Sequence, residues 1–123
     1  MKNIFLLLSI LMVTYSCSSQ KQPQDNIPAD TPACIKEMIS KFKGTLNNPY
    51  RDVYSYTYNG KIVYYISIPR GNVVCMDCWT DLYDSKCNLI AHPDGGMAGK
   101  GDGRAKDFFE KRTNEKLVWK LKE

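Results

Sequence analysis

Apolar residues change rhythm along this chain, and each rhythm predicts an element. From Ile4 to Val13 they are almost continuous, in the run "IFLLLSILMV". From Ile35 they fall three and four apart, at Ile35, Met38, Ile39 and Phe42, which is the stripe of an amphipathic helix. Thr31 is expected to cap that helix, Pro32 to open it and Gly44 to stop it. From Val53 to Ile68, "VYSYTYNGKIVYYISI" alternates around Asn59-Gly60, the favoured pair for a tight hairpin.

Pairing Tyr58 with Lys61 sets the hairpin register, opposing Tyr56 to Val63 and Tyr54 to Tyr65. One face then carries Tyr54, Tyr56, Tyr58, Val63 and Tyr65. The other carries Val53, Ser55, Thr57, Ile62, Tyr64, Ile66 and Ile68, and its isoleucines make it the expected core side. "VVCMD" and "WTDLYD" look extended, "SKCN" turns into "LIAH", and "RAKDFFEKR" reads as a short helix that Asp102 would cap. Leu117, Trp119 and Leu121 alternate with Val118 and lysines, a strand pattern. The sum is an α+β domain. It has an antiparallel sheet of about four to six strands, with an N-terminal helix and a short C-terminal helix packed on one face.

Lys2 followed by the ten-residue apolar run is too short for a membrane-spanning helix and matches a signal peptide over residues 1–16. Cys17 after Ser16 resembles a bacterial lipobox, with Thr14 departing from its usual Leu or Val. A lipid-bearing Cys17 would anchor the protein in the membrane, two or three acyl chains making the attachment lasting. Residues 17–31, polar and rich in Gln, Pro and Asp, read as a flexible tether, and residues 32–123 as one globular domain. The expected location is the cell envelope, on an outer-membrane leaflet facing the periplasm. Of 17 basic residues one leaves with the signal, so 16 minus 13 acidic residues gives the mature chain +3. That mild, interspersed charge excludes nucleic acid as the expected partner.

Cys34, Cys75, Cys78 and Cys87 remain, an even number for an oxidising compartment, so two disulfides are expected from three possible connectivities. In an extended run Cys75 and Cys78 point to opposite faces. One would then bond Cys34 and the other Cys87. "CMDC" also admits a thiol-redox pair or a zinc site, but it lacks the helix start that activates the first and the second CxxC of the other.

Five of the eight glycines lie in His92–Gly103, "HPDGGMAGKGDG". Its glycines miss the spacing of a phosphate loop. Asp94, Asp102 and Asp107 are candidates for calcium, but the loop's expected role is geometric: φ > 0 where the chain leaves a strand and starts a helix. His92 is the single histidine, and no catalytic constellation or cofactor is expected. The leading expectation is a non-catalytic envelope module whose Tyr54, Tyr56, Tyr58 and Tyr65 face binds a protein or glycan. A metal-binding or thiol-redox periplasmic protein is the alternative.

The stretch "LYDSKCNLIAHPDGGMAGKGDGRAKDFFEKRTNEKLVWK" (Leu82–Lys120), with "ACIKEMISKFK" and "YTYNGKIVYYI" upstream, resembles a group of small Bacteroidetes lipoproteins and secreted proteins. "PDGGxxGxGDG" followed by "DF" carries the likeness, which covers nearly the whole mature domain. That family has no assigned activity, so the resemblance implies export and one domain rather than a chemistry. It also implies that Ala91 and Ala105, cysteines in relatives, face each other across the glycine loop.

Overall fold

A computed structural model of the chain describes residues 26–42, 51–68 and 77–120. The segments expected as signal peptide and, up to Asp25, as tether, together with Cys17, Gly44 and Cys75, lie outside the described residues. Helix α1 (Ala33–Ser40) leads into β1 (Val53–Tyr58), β2 (Lys61–Ile66), β3 (Asp81–Asp84), β4 (Leu89–Ala91), the short helix α2 (Phe108–Lys111) and β5 (Thr113–Trp119). The five strands form one antiparallel sheet in the order β4-β3-β2-β1-β5. Four strands meander outward from the hairpin, and the last returns to the free side of β1. The α+β expectation holds.

The hairpin register is the expected one throughout: Tyr58 opposes Lys61, Tyr56 opposes Val63, and Tyr54 opposes Tyr65. Because side chains alternate across a strand, this register sends two sets of large residues to opposite faces. On one face Val53, Tyr64, Ile66 and Val118 pack against Ile35 and Ile39 of α1, with Trp119 and Phe42 closing the edge at a ring separation of 6.0 Å. On the other, Tyr56, Tyr58, Val63 and Leu82 surround the fully buried Phe108 of α2. The helices therefore lie on opposite faces, not on one. Both faces of β1 and β2 are rich in large apolar and aromatic groups, and both must be covered. The isoleucine side is one core of two.

Local endings differ from the expected ones by small physical preferences. Pro32, rather than Thr31, occupies the position before α1, and no side chain caps the helix. Thr31 is buried instead, its N–H donated to the Pro28 carbonyl at 3.0 Å. Ile27 packs against the α1 core, so the last residues read as tether belong to the folded domain. Asp107 precedes α2 without a side-chain cap bond, and Asp102 is engaged elsewhere.

Cys34 of α1 is bonded to Cys87, in the turn between β3 and β4. This corrects the expected pairing, in which each would have joined the Cys75–Cys78 stretch. Cys87 sits at φ 62° in a turn whose backbone is folded around Asp84. The Asp84 carboxylate accepts N–H bonds from Lys86 and Asn88 at 2.9 and 2.8 Å. The turn thereby brings Cys87 to the helix side of the sheet, where it packs on the same core as Ile35. Cys78 is also disulfide-bonded.

The Cys34–Cys87 bridge closes a separation of 53 residues. Replacing both cysteines by alanine is expected to lower stability by about 2–5 kcal/mol, since a long loop in the unfolded chain is released. Urea denaturation of the double variant checks this, and peptide mapping without reductant should recover Cys34 linked to Cys87.

Candidate functional site

The tyrosine ladder is not an open platform. Tyr56 and Tyr58 retain 4% and 8% of their exposure, whereas Tyr54 and Tyr65 are half-buried. Phe108 is the reason: its ring meets Tyr56 and Tyr58 edge-on at 5.6 and 5.4 Å and stacks on Tyr65 at 5.6 Å. Such pairs contribute about 0.5–1.5 kcal/mol each beyond the area they bury. The buried hydroxyls are satisfied, as they must be. Tyr58 donates to Asp107 Oδ1 at 2.6 Å and Tyr56 to Glu115 Oε2 at 2.7 Å, while Arg112 Nη1 donates to the Tyr56 oxygen at 3.1 Å. Burial and the Glu115 hydrogen bond hold the Tyr56 phenol well above its ordinary range, so it is neutral at all physiological pH.

What stays accessible is the rim of this core. Across the sheet, Leu117, Tyr54, Tyr65 and Leu82 occupy one cross-strand row from β5 to β3. Leu117 is 50% exposed, and Phe109, 41% exposed, meets the Tyr65 ring edge-on at 5.9 Å. The Arg112 guanidinium lies 4.9 Å from the Phe109 ring centre and 4.6 Å from that of Tyr56. Aromatic rings around a guanidinium, on a rigid strand support, have the composition of an interface hot spot. Arg112 and Phe109 were not singled out in the sequence; the doubled Phe108-Phe109 was the available signal, since one apolar face of so short a helix needs only one ring.

The glycine loop covers the same face from the other end. The β-bridge between Trp79 and Gly95 and the N–H of Gly96 donated to the Cys78 carbonyl at 2.9 Å fasten its start. Gly95 has φ 97°, and a Cβ there would overlap the Cys78 carbonyl oxygen; at Gly101, φ 66°, a Cβ would overlap that of His92. These two glycines exist because backbone passes where a side chain would stand.

The three loop carboxylates are not gathered into a cation site, and no group of three or more His, Cys, Asp or Glu among the described residues is placed to hold a metal ion. Asp94 Oδ1 accepts the N–H of Gly95 at 2.7 Å. Asp107 accepts Tyr58 and pairs with Lys111 Nζ at 2.6 Å. Asp102 is the clasp of the loop. Its carboxylate accepts the N–H of His92 at 3.0 Å and of Arg104 at 2.9 Å and pairs with the Arg104 guanidinium at 2.6 Å, while its own N–H is donated to the His92 carbonyl at 2.9 Å. Burial raises the carboxyl's pKa, but the Arg104 side chain and the two backbone N–H groups outweigh it and bring it to about 2.

His92 lies beside Asp81, its Nδ1 2.9 Å from Asp81 Oδ1 and 3.0 Å from the Thr80 carbonyl. Both neighbours are acceptors, so Nδ1 carries the proton. Asp81 also pairs through Oδ2 with Arg51 Nη1 at 2.8 Å, and the Trp79 ring lies 5.4 Å from the imidazole. An oriented imidazole is half of a base–nucleophile pair. Thr80, whose carbonyl meets the imidazole, offers no nucleophile: its buried hydroxyl donates to the Asp94 carbonyl and accepts the Asp94 N–H. The arrangement ties the ends of β3 and β4 to the loop. On the α1 face a groove of about 170 Å³, lined by Pro28, Asp30, Ile62, Tyr64, Lys116 and Val118, has room for one side chain but is below the size of sites that enclose larger ligands.

The architecture defines an α+β domain whose antiparallel sheet is covered on both faces, with Phe109, Tyr54 and Tyr65 accessible at one rim. Residues 41–121 match the family described as Domain of unknown function (DUF6970), and the chain belongs to that family. The match begins at the end of α1 and takes in the whole sheet and the glycine loop. No curated protein and no solved structure matches the chain.

Gly95→Ala and Gly101→Ala are expected to lower the melting temperature far more than Gly99→Ala. Gly99 has φ 61° but open space around it, so alanine there costs about 1–2 kcal/mol of left-handed strain without a backbone clash. Thermal unfolding of the three variants checks the order. Acid titration tests the clasp. A carboxyl depressed in the folded state contributes fully above the ordinary carboxylate range of about 4 and loses that contribution as pH falls toward the folded value. Unfolding free energy should therefore fall between about pH 4 and pH 2, and Asp102→Asn should lower stability at pH 7 while flattening that fall.

Proposed function

We propose that this protein is a non-catalytic cell-envelope lipoprotein, held at the outer membrane by an acylated Cys17 and facing the periplasm, that binds an envelope protein or glycan through the aromatic rim. The observation that carries the binding reading is the Leu117–Tyr54–Tyr65 row flanked by Phe109 and Arg112. These groups are half-buried or exposed, fixed by a packed support and polarised by one cation. Such a surface presents large contact area at small entropic cost, and both carbohydrate faces and peptide side chains pack on it. The signal-like residues 1–16 with Cys17, and a disulfide that suits an oxidising compartment, support the envelope location.

The test is binding of the mature protein to arrayed envelope glycans and to native envelope proteins, compared with Phe109→Ala and Tyr54→Ala. Each truncation is expected to weaken capture by about tenfold, a hot-spot loss of 1.4 kcal/mol or more, with the fold intact by circular dichroism. Unchanged capture by both variants would remove the rim from consideration. Labelling of the expressed protein with radioactive palmitate, abolished in Cys17→Ser, tests the anchor.

A further inference from the structure

We infer that β5 is the interface of a symmetric dimer, in which a second copy of this chain pairs its own β5 antiparallel with the first across Leu117. Among the described residues β5 is the last strand of the sheet, and its residues 113–117 are all exposed. Such an edge presents unpaired N–H and C=O groups, and a second strand satisfies them.

Symmetry restricts the register. Placing an edge against itself requires a two-fold axis perpendicular to the sheet, so residues facing each other point to the same side and the axis passes through one residue position. Three positions lie in the middle of β5. An axis through Glu115 sets two carboxylates against each other, and one through Lys116 sets two ammonium groups together; directly opposed like charges are destabilising. An axis through Leu117 opposes leucine to leucine, and sets Lys116 and Glu115 directly opposite the second copy's Val118 and Trp119, so that no like charges are directly opposed and the two Lys116 meet only on a diagonal of about 7–8 Å. The charges that would blunt this edge in two registers thus select the third.

That register also removes the half-exposed Leu117 from water. The row Leu82–Tyr65–Tyr54–Leu117 continues directly into Leu117, Tyr54, Tyr65 and Leu82 of the second copy, crossing the axis with apolar side chains only. The pairing of β5 with β1 is bulged on both sides of Lys116–Leu117, between Val53 and Tyr54 and between Ser55 and Thr57. Bulges twist a strand and end its regular pairing, which confines the contact to a short run and makes the dimer weak and concentration-dependent. The inference does not rest on the binding reading; it makes the aromatic rim two-fold, with Phe109 and Arg112 flanking each half.

Sedimentation of the mature, disulfide-bonded protein is expected to show a shift toward dimer with rising concentration. Leu117→Lys places two ammonium groups at the axis and should abolish the shift, while its melting temperature in dilute solution, where wild type is monomeric, stays close to that of wild type because the residue is half-exposed. Register is read independently by cysteine cross-linking. Opposed strand residues hold their Cβ atoms about 4.5–5.5 Å apart, close enough for a disulfide after small adjustment. Leu117→Cys should therefore cross-link two chains several-fold faster than Glu115→Cys or Lys116→Cys, with peptide mapping placing the bond at 117 and Cys34–Cys87 intact. A monomer at every concentration, or Glu115→Cys or Lys116→Cys cross-linking as fast as Leu117→Cys, would overturn the inference. Either result leaves glycan and protein capture by the rim to be judged on its own readout.

Discussion

The burial of one ring, that of Phe108, is what the rest of this fold depends on. A hairpin with tyrosines along one face and isoleucines along the other cannot leave either face to water, and a chain this short has little material for a second cover. Phe108 supplies the centre of that cover, touching Tyr56, Tyr58 and Tyr65 at once. Its position dictates that α2 lies across from α1, that the glycine loop reaches over the sheet to deliver it, and that Asp107 and Arg112 arrive beside the tyrosine hydroxyls on either side of it.

The loop is therefore part of the second layer. Asp102 and the backbone of His92 close it with a reciprocal pair of bonds, and Gly95 and Gly101 let two backbone passages come together. The acidic residues that looked available for a cation are occupied in holding this layer down. The pairing of Asp81 with both His92 and Arg51 serves the same end of the sheet. Polar groups here are spent on architecture, and the accessible chemistry is concentrated at the aromatic rim and the β5 edge.

How much of this was legible follows from the range of each signal. The Asn59-Gly60 turn fixes its flanking strands locally, so the hairpin register was readable residue by residue. The helical stripe of Ile35 and Ile39 was equally local. The side of the sheet on which each helix lies was not, because α2 has four residues and no periodicity to display. The sulfur pairing failed for a related reason: it was argued from an extended Cys75–Cys78 run, whereas the turn folded by Asp84 aims Cys87 at α1. Asp102 was expected at a helix start because aspartate prefers caps, but a closer pair of N–H donors and a guanidinium took it. Tyr56 and Tyr58 looked like a surface only while the residue that buries them lay fifty positions away in the sequence.

The Cys34–Cys87 bond has a mechanical consequence. Tension entering from the N-terminal side would ordinarily peel α1 from the sheet one turn at a time, a low-force event for an isolated helix. Because Cys34 lies in the first turn and is covalently joined to the turn beyond β3, that load bypasses the helix and is delivered to the strand lattice, in which neighbouring backbone bonds share it.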